Sequence, residues 1–322
     1  MTQGYPRLLG DIGGTNARWA WQAGPGKGLE HISVLPCTAS GSLYESARSY
    51  LEHKGGARPT HASIGIATAL DGDAVRMTNS PWAFSIAQFK QALGLERCLV
   101  INDFTALAMS LPALGADDVT AIGGGAALAA APIGLLGPGT GLGVSGLMPG
   151  RDGHWSALSG EGGHVTLAAS DALEAALLER MRARFGHVSA ERVLSGEGLL
   201  NLYRALCELQ GHPARDIGPA ALTEAALQQT DPVCEQTVGL FASFLGNVAG
   251  NLALTLGARG GIYVGGGIVP RLGAAFDALA FRSRFEDKGR FADYLRVIPT
   301  WVITASTPAL LGASLALDQI PA

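Results

Sequence analysis

Short apolar runs alternate with amphipathic stretches through most of this chain, the pattern of an α/β protein. Leu8-Leu9 and Trp19-Ala20-Trp21 read as two strands joined by a glycine-rich turn. Ser42 with Glu45 three residues on predicts a capped helix, closed by Gly55-Gly56. Residues 62–67 (ASIGIA) read as a strand, and Ser85 with Gln88 begins a second helix that Gly94 ends. Residues 98–101 form a wholly apolar strand with Asn102-Asp103 at its carboxyl end. A helix over 104–111 follows, stopped by Pro112.

Beyond the low-complexity stretch 123–132, IGLLGPGTGLGVSGL (133–147) repeats the opening in rough form: apolar strand, Gly-rich turn with a threonine, second apolar strand. Helices are predicted over 171–185, ended by Gly186, over 195–209, and from near Asp231-Pro232, where proline suits a first turn. GIYVGGGIVPRL then sets Gly265, Gly266 and Gly267 between a strand at 262–264 and a helix. A strand near Val302-Ile303 and a helix from about Thr307 complete the order.

At 322 residues the prior is about two domains. Charge is mild, 23 Lys+Arg against 27 Asp+Glu with no block of one sign, which argues against nucleic acid or an anionic membrane as partner. Cys37, Cys98, Cys207 and Cys234 are far apart and fit reduced thiols of a cytoplasmic protein, not a metal site. The opening MTQGYPRLLGD has no long apolar run, so no secretory leader is expected. The run 238–258 is apolar enough to raise a membrane span. Asn247, Asn251 and Thr255 at i, i+4 and i+8 favour instead a buried helix with one polar stripe, and no membrane partner is expected.

The two glycine turns carry the functional question. One such turn is an ordinary hairpin, or else backbone left bare so that phosphate can reach its N–H groups. Two distant copies favour phosphate-binding turns facing a shared ligand. Asn102-Asp103 admits two readings as well: N-caps, or polar groups at the carboxyl edge where α/β folds bind ligands. The run 141–146 matches GxGxxG, but the residues after it read as strand then turn, not the helix a dinucleotide site needs. Walker, HExxH, GxSxG and protein-kinase signatures are missing.

DIGGTN, GPGTGLG and VGGGIVP in that order resemble the phosphate and adenosine loops of the actin-like ATPase superfamily. Within it the chain is similar to bacterial glucokinases of group A, through LLGDIGGTNAR (8–18), MTNSPWAFS (77–85), INDFTALA (101–108), GPGTGLGV (137–144), SGEGGHV (159–165), GHVSAERVLSG (186–196), GGIVPR (266–271) and FEDKGRF (285–291). The resemblance implies two ribonuclease-H-like α/β domains with a ligand cleft between them: a small one of 1–112 plus about 305–322, and a large one of 113–304. It implies ATP-dependent phosphorylation of glucose at the 6-hydroxyl, or of another hexose such as fructose or mannose, in a cytoplasmic homodimer. A non-catalytic sugar-sensing regulator is the rival from a different class. A strand already begun by residue 8, with no helix-turn-helix before it, counts against that reading.

Phosphoryl transfer needs an aligned nucleophile, neutralised phosphate charge and exclusion of water. On this reading ATP is held by Gly10, Asp11, Ile12, Gly13, Gly14, Thr15 and Asn16, by Gly139, Thr140 and Gly141, and by Gly265–Gly267, with the two threonines adding hydroxyl donors. Asp11 would repel phosphate directly and is expected to hold Mg²⁺ through water. Asp103 is the expected general base. By resemblance Asn102, Asp103, Glu161, His164 and Glu191 form the glucose site. FEDKGRF reads as a solvated charged loop without chemistry. The turn 68–72 departs from the family's Pro-containing turn, and no Cys-rich zinc motif follows His164.

Overall fold

The computed structural model describes residues 4–68, 70–78, 80–151 and 153–319. The chain divides into two compact units, Met1–Leu114 with Gly150–Ser159 and Ala305–Ala322, and Gly115–Pro149 with Gly160–Thr304. Residues 150–159 thus join the first unit, where the sequence places them in the large domain.

In the first unit the strands are β1 (Arg7–Ile12), β2 (Asn16–Gln22), β3 (Glu30–Pro36), β4 (His61–Ile66), β5 (Ala74–Arg76), β6 (Ala83–Ser85), β7 (Arg97–Asn102) and β11 (Trp155–Ala157). Its helices are α1 (Leu43–His53), α2 (Ile86–Ala92), α3 (Asp103–Ser110) and α11 (Pro308–Gln319). The main sheet runs β3-β2-β1-β4-β7, with β1, β2 and β3 antiparallel and β1, β4 and β7 parallel. Trp19, Trp82, Leu8, Ile12, Ile64 and Ile66 fill its core, and the Trp19 indole donates to Ser46 Oγ at 3.0 Å. The caps form as the sequence predicts: Ser42 Oγ accepts from Glu45 N–H, and Ser85 Oγ from Gln88 N–H. Glu45 reaches back one residue further than the standard box, to Gly41 N–H at 2.8 Å.

The second unit has β8 (Val119–Gly123), β9 (Ile133–Pro138), β10 (Leu142–Pro149), β12 (Ile262–Val264) and β13 (Thr300–Ile303), which run β10-β9-β12-β13-β8. Here too a glycine-turned antiparallel hairpin, β9-β10, leads with a strand that pairs in parallel with a later one, β12. The repetition seen in the sequence is a repetition of topology. Helices α4 (Ala172–Phe185), α5 (Gly196–Gln210) and α7 (Pro232–Leu256) start at Asp171, Ser195 and Asp231, each with a side-chain oxygen accepting a first-turn N–H. Three helices went unread in the sequence: α6 (Pro219–Leu227), α9 (Ala278–Glu286) and the short α10 (Ala292–Arg296). The short α8 (Ile268–Leu272) follows the three glycines as expected.

Helix α7 is long and apolar enough to cross a membrane by length and composition, yet 67% of its most apolar window is buried in the fold. Gly246 and Gly250 let α9 lie directly on it: a methyl at Gly246 would come within 2.1 Å of the Phe281 carbonyl oxygen, and one at Gly250 within 2.5 Å of that of Phe285. FEDKGRF is therefore not a solvated loop. Phe285 is wholly buried, and the Lys288 ammonium donates to Asn247 Oδ1 of α7. Of the predicted polar stripe, Asn247 is buried with its amide donating to Ala168 O at 3.2 Å, while Asn251 and Thr255 are exposed.

Candidate active site

In the first unit the turn between β1 and β2 is closed by Gly13 N–H donating to Asn16 O at 3.0 Å. Beneath it lies Cys37, whose N–H donates to Thr15 O at 2.8 Å and whose thiol lies 3.4 Å from Gly13 O. A trans peptide points its C=O and the following N–H in opposite directions, so drawing Gly13 O toward Cys37 turns Gly14 N–H away from it. The turn offers the backbone donors that phosphate chemistry asks for, at Gly14 and Thr15 and not at Gly13. Gly10 and Ile12 serve packing: Ile12 is wholly buried, and a methyl at Gly10 would meet the Trp19 ring at 2.9 Å.

Asp11 pairs across the hairpin with Arg18, Nη1 to Oδ2 3.2 Å. Burial raises the Asp11 pKa, and the Arg18 guanidinium opposes that rise. The sequence reading missed Arg18, although residues 11 and 18 lie symmetrically about the turn. A Mg²⁺ ion held mainly by phosphate and water needs only one or two carboxylates, which this single half-buried acid fits. Among the described residues no group of three or more His, Cys, Asp or Glu forms a metal cage.

Asp11, Gly65 and Ile101 stand level across β1, β4 and β7, and Ile12, Ile66 and Asn102 one step further on. With neighbouring strands about 4.8 Å apart, Asn102 and Ile12 are about 10 Å apart on one carboxyl edge. Asn102 is the N-cap of α3: its Oδ1 accepts from Phe104 N–H at 2.9 Å and Thr105 N–H at 3.2 Å. That commits its oxygen to the helix and leaves Nδ2, 3.5 Å from Thr68 O, as the atom able to meet a ligand. Asp103 opens α3, half-buried, with Oδ1 accepting from Phe104 N–H at 2.9 Å. Gly65 lets the helix start close to the sheet, since a methyl there would meet Ala106 Cβ at 3.0 Å. Ala69, in the turn that departs from the family pattern, lies outside the described residues.

In the second unit Gly139 N–H donates to Gly141 O at 2.8 Å, closing the second turn as Gly13 closes the first. The N–H groups of Thr140 and Gly141 follow as donors. Gly265 N–H donates to Leu136 O at 2.8 Å, and Gly266, at φ +76°, lies so close to Pro138 O that a methyl would come within 2.3 Å of it. The three glycines therefore adjoin the end of β9 and its turn. The loop bearing Glu161 and His164 packs on β10, where methyls at Gly162 and Gly163 would meet Val144 at 2.8 Å and Leu142 O at 2.1 Å. Both side chains are exposed, and Glu191 is half-buried behind the same strand.

Beside the second turn opens a cavity of about 440 Å³ lined by Gly139, Thr140, Gly196, Leu199, Pro219, Ala220, Thr223, Glu224, Leu227, Ile268 and Arg271. Its volume falls in the usual range for a small-molecule site, and its walls are mostly apolar, as a flat aromatic base requires. Sequence reasoning found only its glycine and threonine rim. Gly218-Pro219 ahead of AALTEAAL was the available signal for α6, the helix that forms one wall.

The family model described as "Glucokinase" matches residues 8–320. A glucokinase of Aromatoleum aromaticum is 52% identical over 316 residues, covering 98% of this chain and 95% of its own. The crystal structure of a glucokinase from an Antarctic psychrotroph superimposes with a TM-score of 0.89 at 36% identity, covering 97% of this chain and 98% of its own. A glucokinase of Streptomyces griseus of the ROK family, solved with glucose and AMPPNP, shares the fold at a TM-score of 0.62 and 20% identity, covering 96% and 98%. Near-complete coverage at this identity, on the two-unit actin-like ATPase fold, places the chain: it belongs to the glucokinase family.

Proposed function

We propose that this chain transfers the γ-phosphoryl group of ATP to the 6-hydroxyl of D-glucose, with Asp103 as general base. The observation that carries the reading is the shared carboxyl edge of the first sheet. There Ile12, which leads into the closed glycine turn, and Asn102, which leads into α3, stand about 10 Å apart, room beyond them for a phosphoryl group and the hydroxyl that attacks it.

The 440 Å³ cavity takes the base and ribose of ATP, and the N–H groups of Thr140 and Gly141 take its phosphates. Gly14 and Thr15 offer the same donors from the first turn. Asp11 holds Mg²⁺ through water; when bound, the ion neutralises phosphate charge. Asp103 accepts the proton of the 6-hydroxyl as that oxygen attacks phosphorus. Glucose hydroxyls are oriented by Glu161, His164 and Glu191, together with the Nδ2 group of Asn102. The Streptomyces griseus enzyme, solved with glucose and an ATP analogue, supports the pairing of ligands. A cytoplasmic homodimer belongs to the same reading, and sedimentation of the purified chain tests the dimer.

The decisive experiment is glucose 6-phosphate formation by wild type and Asp103→Asn with ATP and Mg²⁺, across glucose, mannose and fructose. Loss of a general base lowers kcat by about 10²–10⁴-fold while the glucose Kd stays within a few-fold. An Asp103→Asn enzyme of near-normal kcat refutes the base, and turnover confined to another hexose refutes the substrate.

A further inference from the structure

The second glycine turn is held from outside. The N–H of Leu142, just past it, donates to Glu191 Oε2 at 2.9 Å, and a methyl on Gly141 would fall within 2.4 Å of that oxygen. At the other end of the turn, Gly196 N–H donates to Gly139 O at 2.9 Å. One segment, 190–196, therefore grips the turn at both ends, by backbone at the start and by a carboxylate at the exit.

That segment is itself fixed. Glu191 lies in a single 3-10 turn, Ala190–Arg192, whose first N–H donates to Val165 O at 2.9 Å. The Ser195 hydroxyl, which caps α5, donates to the Glu191 carbonyl at 2.9 Å. Val165 directly follows His164, so the support of Glu191 runs back into the loop assigned to sugar.

We infer that Glu191 is a positioning residue for the nucleotide: its carboxylate fixes the exit of the 139–141 turn and with it the direction of the Thr140 and Gly141 N–H groups. A charge-assisted bond of this length is among the stronger single contacts available to a loop. A carboxylate has a second oxygen, and on the proposed reading of Glu191 as a glucose contact, Oε1 receives a sugar hydroxyl while Oε2 holds the turn. Sugar binding then locks the side chain that orders the nucleotide turn. Glucose and nucleotide bind with positive coupling, equal in both directions by linkage.

The test is calorimetric titration of AMPPNP with Mg²⁺ into wild type, Glu191→Gln and Glu191→Ala, first without any sugar. Glu191→Ala weakens AMPPNP by about 5–10-fold, and Glu191→Gln, which keeps an acceptor oxygen, recovers most of that. The ratio of glucose Kd without and with AMPPNP falls toward one in Glu191→Ala. Sugar-free AMPPNP binding equal to wild type in Glu191→Ala overturns the positioning role. A lowered AMPPNP affinity with unaltered glucose Kd upholds the positioning role and overturns only the reading of Glu191 as a sugar contact. Circular dichroism confirms that each variant is folded before titration.

Discussion

Helix α11 crosses α3 at Gly312, and the crossing leaves no room for a side chain. A methyl there would sit 1.7 Å from Ala106 O, 2.8 Å from Ala106 C and 2.9 Å from Ser110 N, where ordinary contact begins at 3.4 Å. Relieving the shortest clash separates the helices by about 1.7 Å, enough to forfeit much of the dispersion between their faces. Leu310, Ala313, Ser314, Ala316 and Leu317 form the buried side of α11, and Ser314 also accepts from Arg7 at 3.0 and 3.1 Å. We expect Gly312→Ala to cost about 3 kcal/mol, the upper part of the overpacking range. At about 2–4 °C per kcal/mol that lowers Tm by about 6–12 °C. Because Asp103 begins α3, the same shift moves the proposed general base, and kcat falls by about 10–100-fold. Thermal denaturation followed by circular dichroism, with kcat measured well below Tm, reads both effects. Gly239→Ala in α7, where a methyl meets nothing within 4 Å, is the control and should be neutral or slightly stabilising. A Gly312→Ala protein melting within about 2 °C of wild type refutes the tight crossing.

Three further outcomes rest on the geometry of the turns and caps. Cys37→Ala removes the thiol beneath the first turn and should raise KM for ATP by about 2–5-fold with glucose KM unchanged, Cys37→Ser restoring most of it; equal KM values in all three proteins count against the thiol. Arg18 stabilises the charged form of Asp11 against the upward push of burial, so Arg18→Ala lets that pKa climb further. The acid limb of the kcat profile moves to higher pH, and an unmoved limb removes Asp11 from the rate. Asp231→Ala takes the cap from α7, whose Val233 and Cys234 N–H groups it satisfies, and should cost about 1 kcal/mol in urea denaturation.

What was legible in the sequence was local. The caps at Ser42 and Ser85 depend on bonds spanning three residues, and the hairpins on glycine turns between apolar runs. Asn102 shows where such reading stops. Cap and ligand both place a polar residue at a strand's end, and only the bonds from Phe104 and Thr105 show its oxygen capping the helix. FEDKGRF looked solvated because four of its seven residues are charged, yet Phe285 decides its position through a glycine surface on α7, some forty residues away. Helix α6 hid because AALTEAAL has little contrast between its faces, and with it went a wall of the cavity beside the second glycine turn. The bond from Leu142 to Glu191 joins residues 49 apart and has no counterpart in any local pattern.

The bare glycine surface of α7 also has a consequence in time. During synthesis Leu256 leaves the ribosome before Ala278–Glu286, the helix that covers Gly246 and Gly250, has followed it out of the exit tunnel. At about 5–20 residues per second, the intervening stretch takes a few seconds to translate. For that interval an apolar helix of 25 residues has no lid, and the nascent chain presents to its surroundings what the finished protein hides.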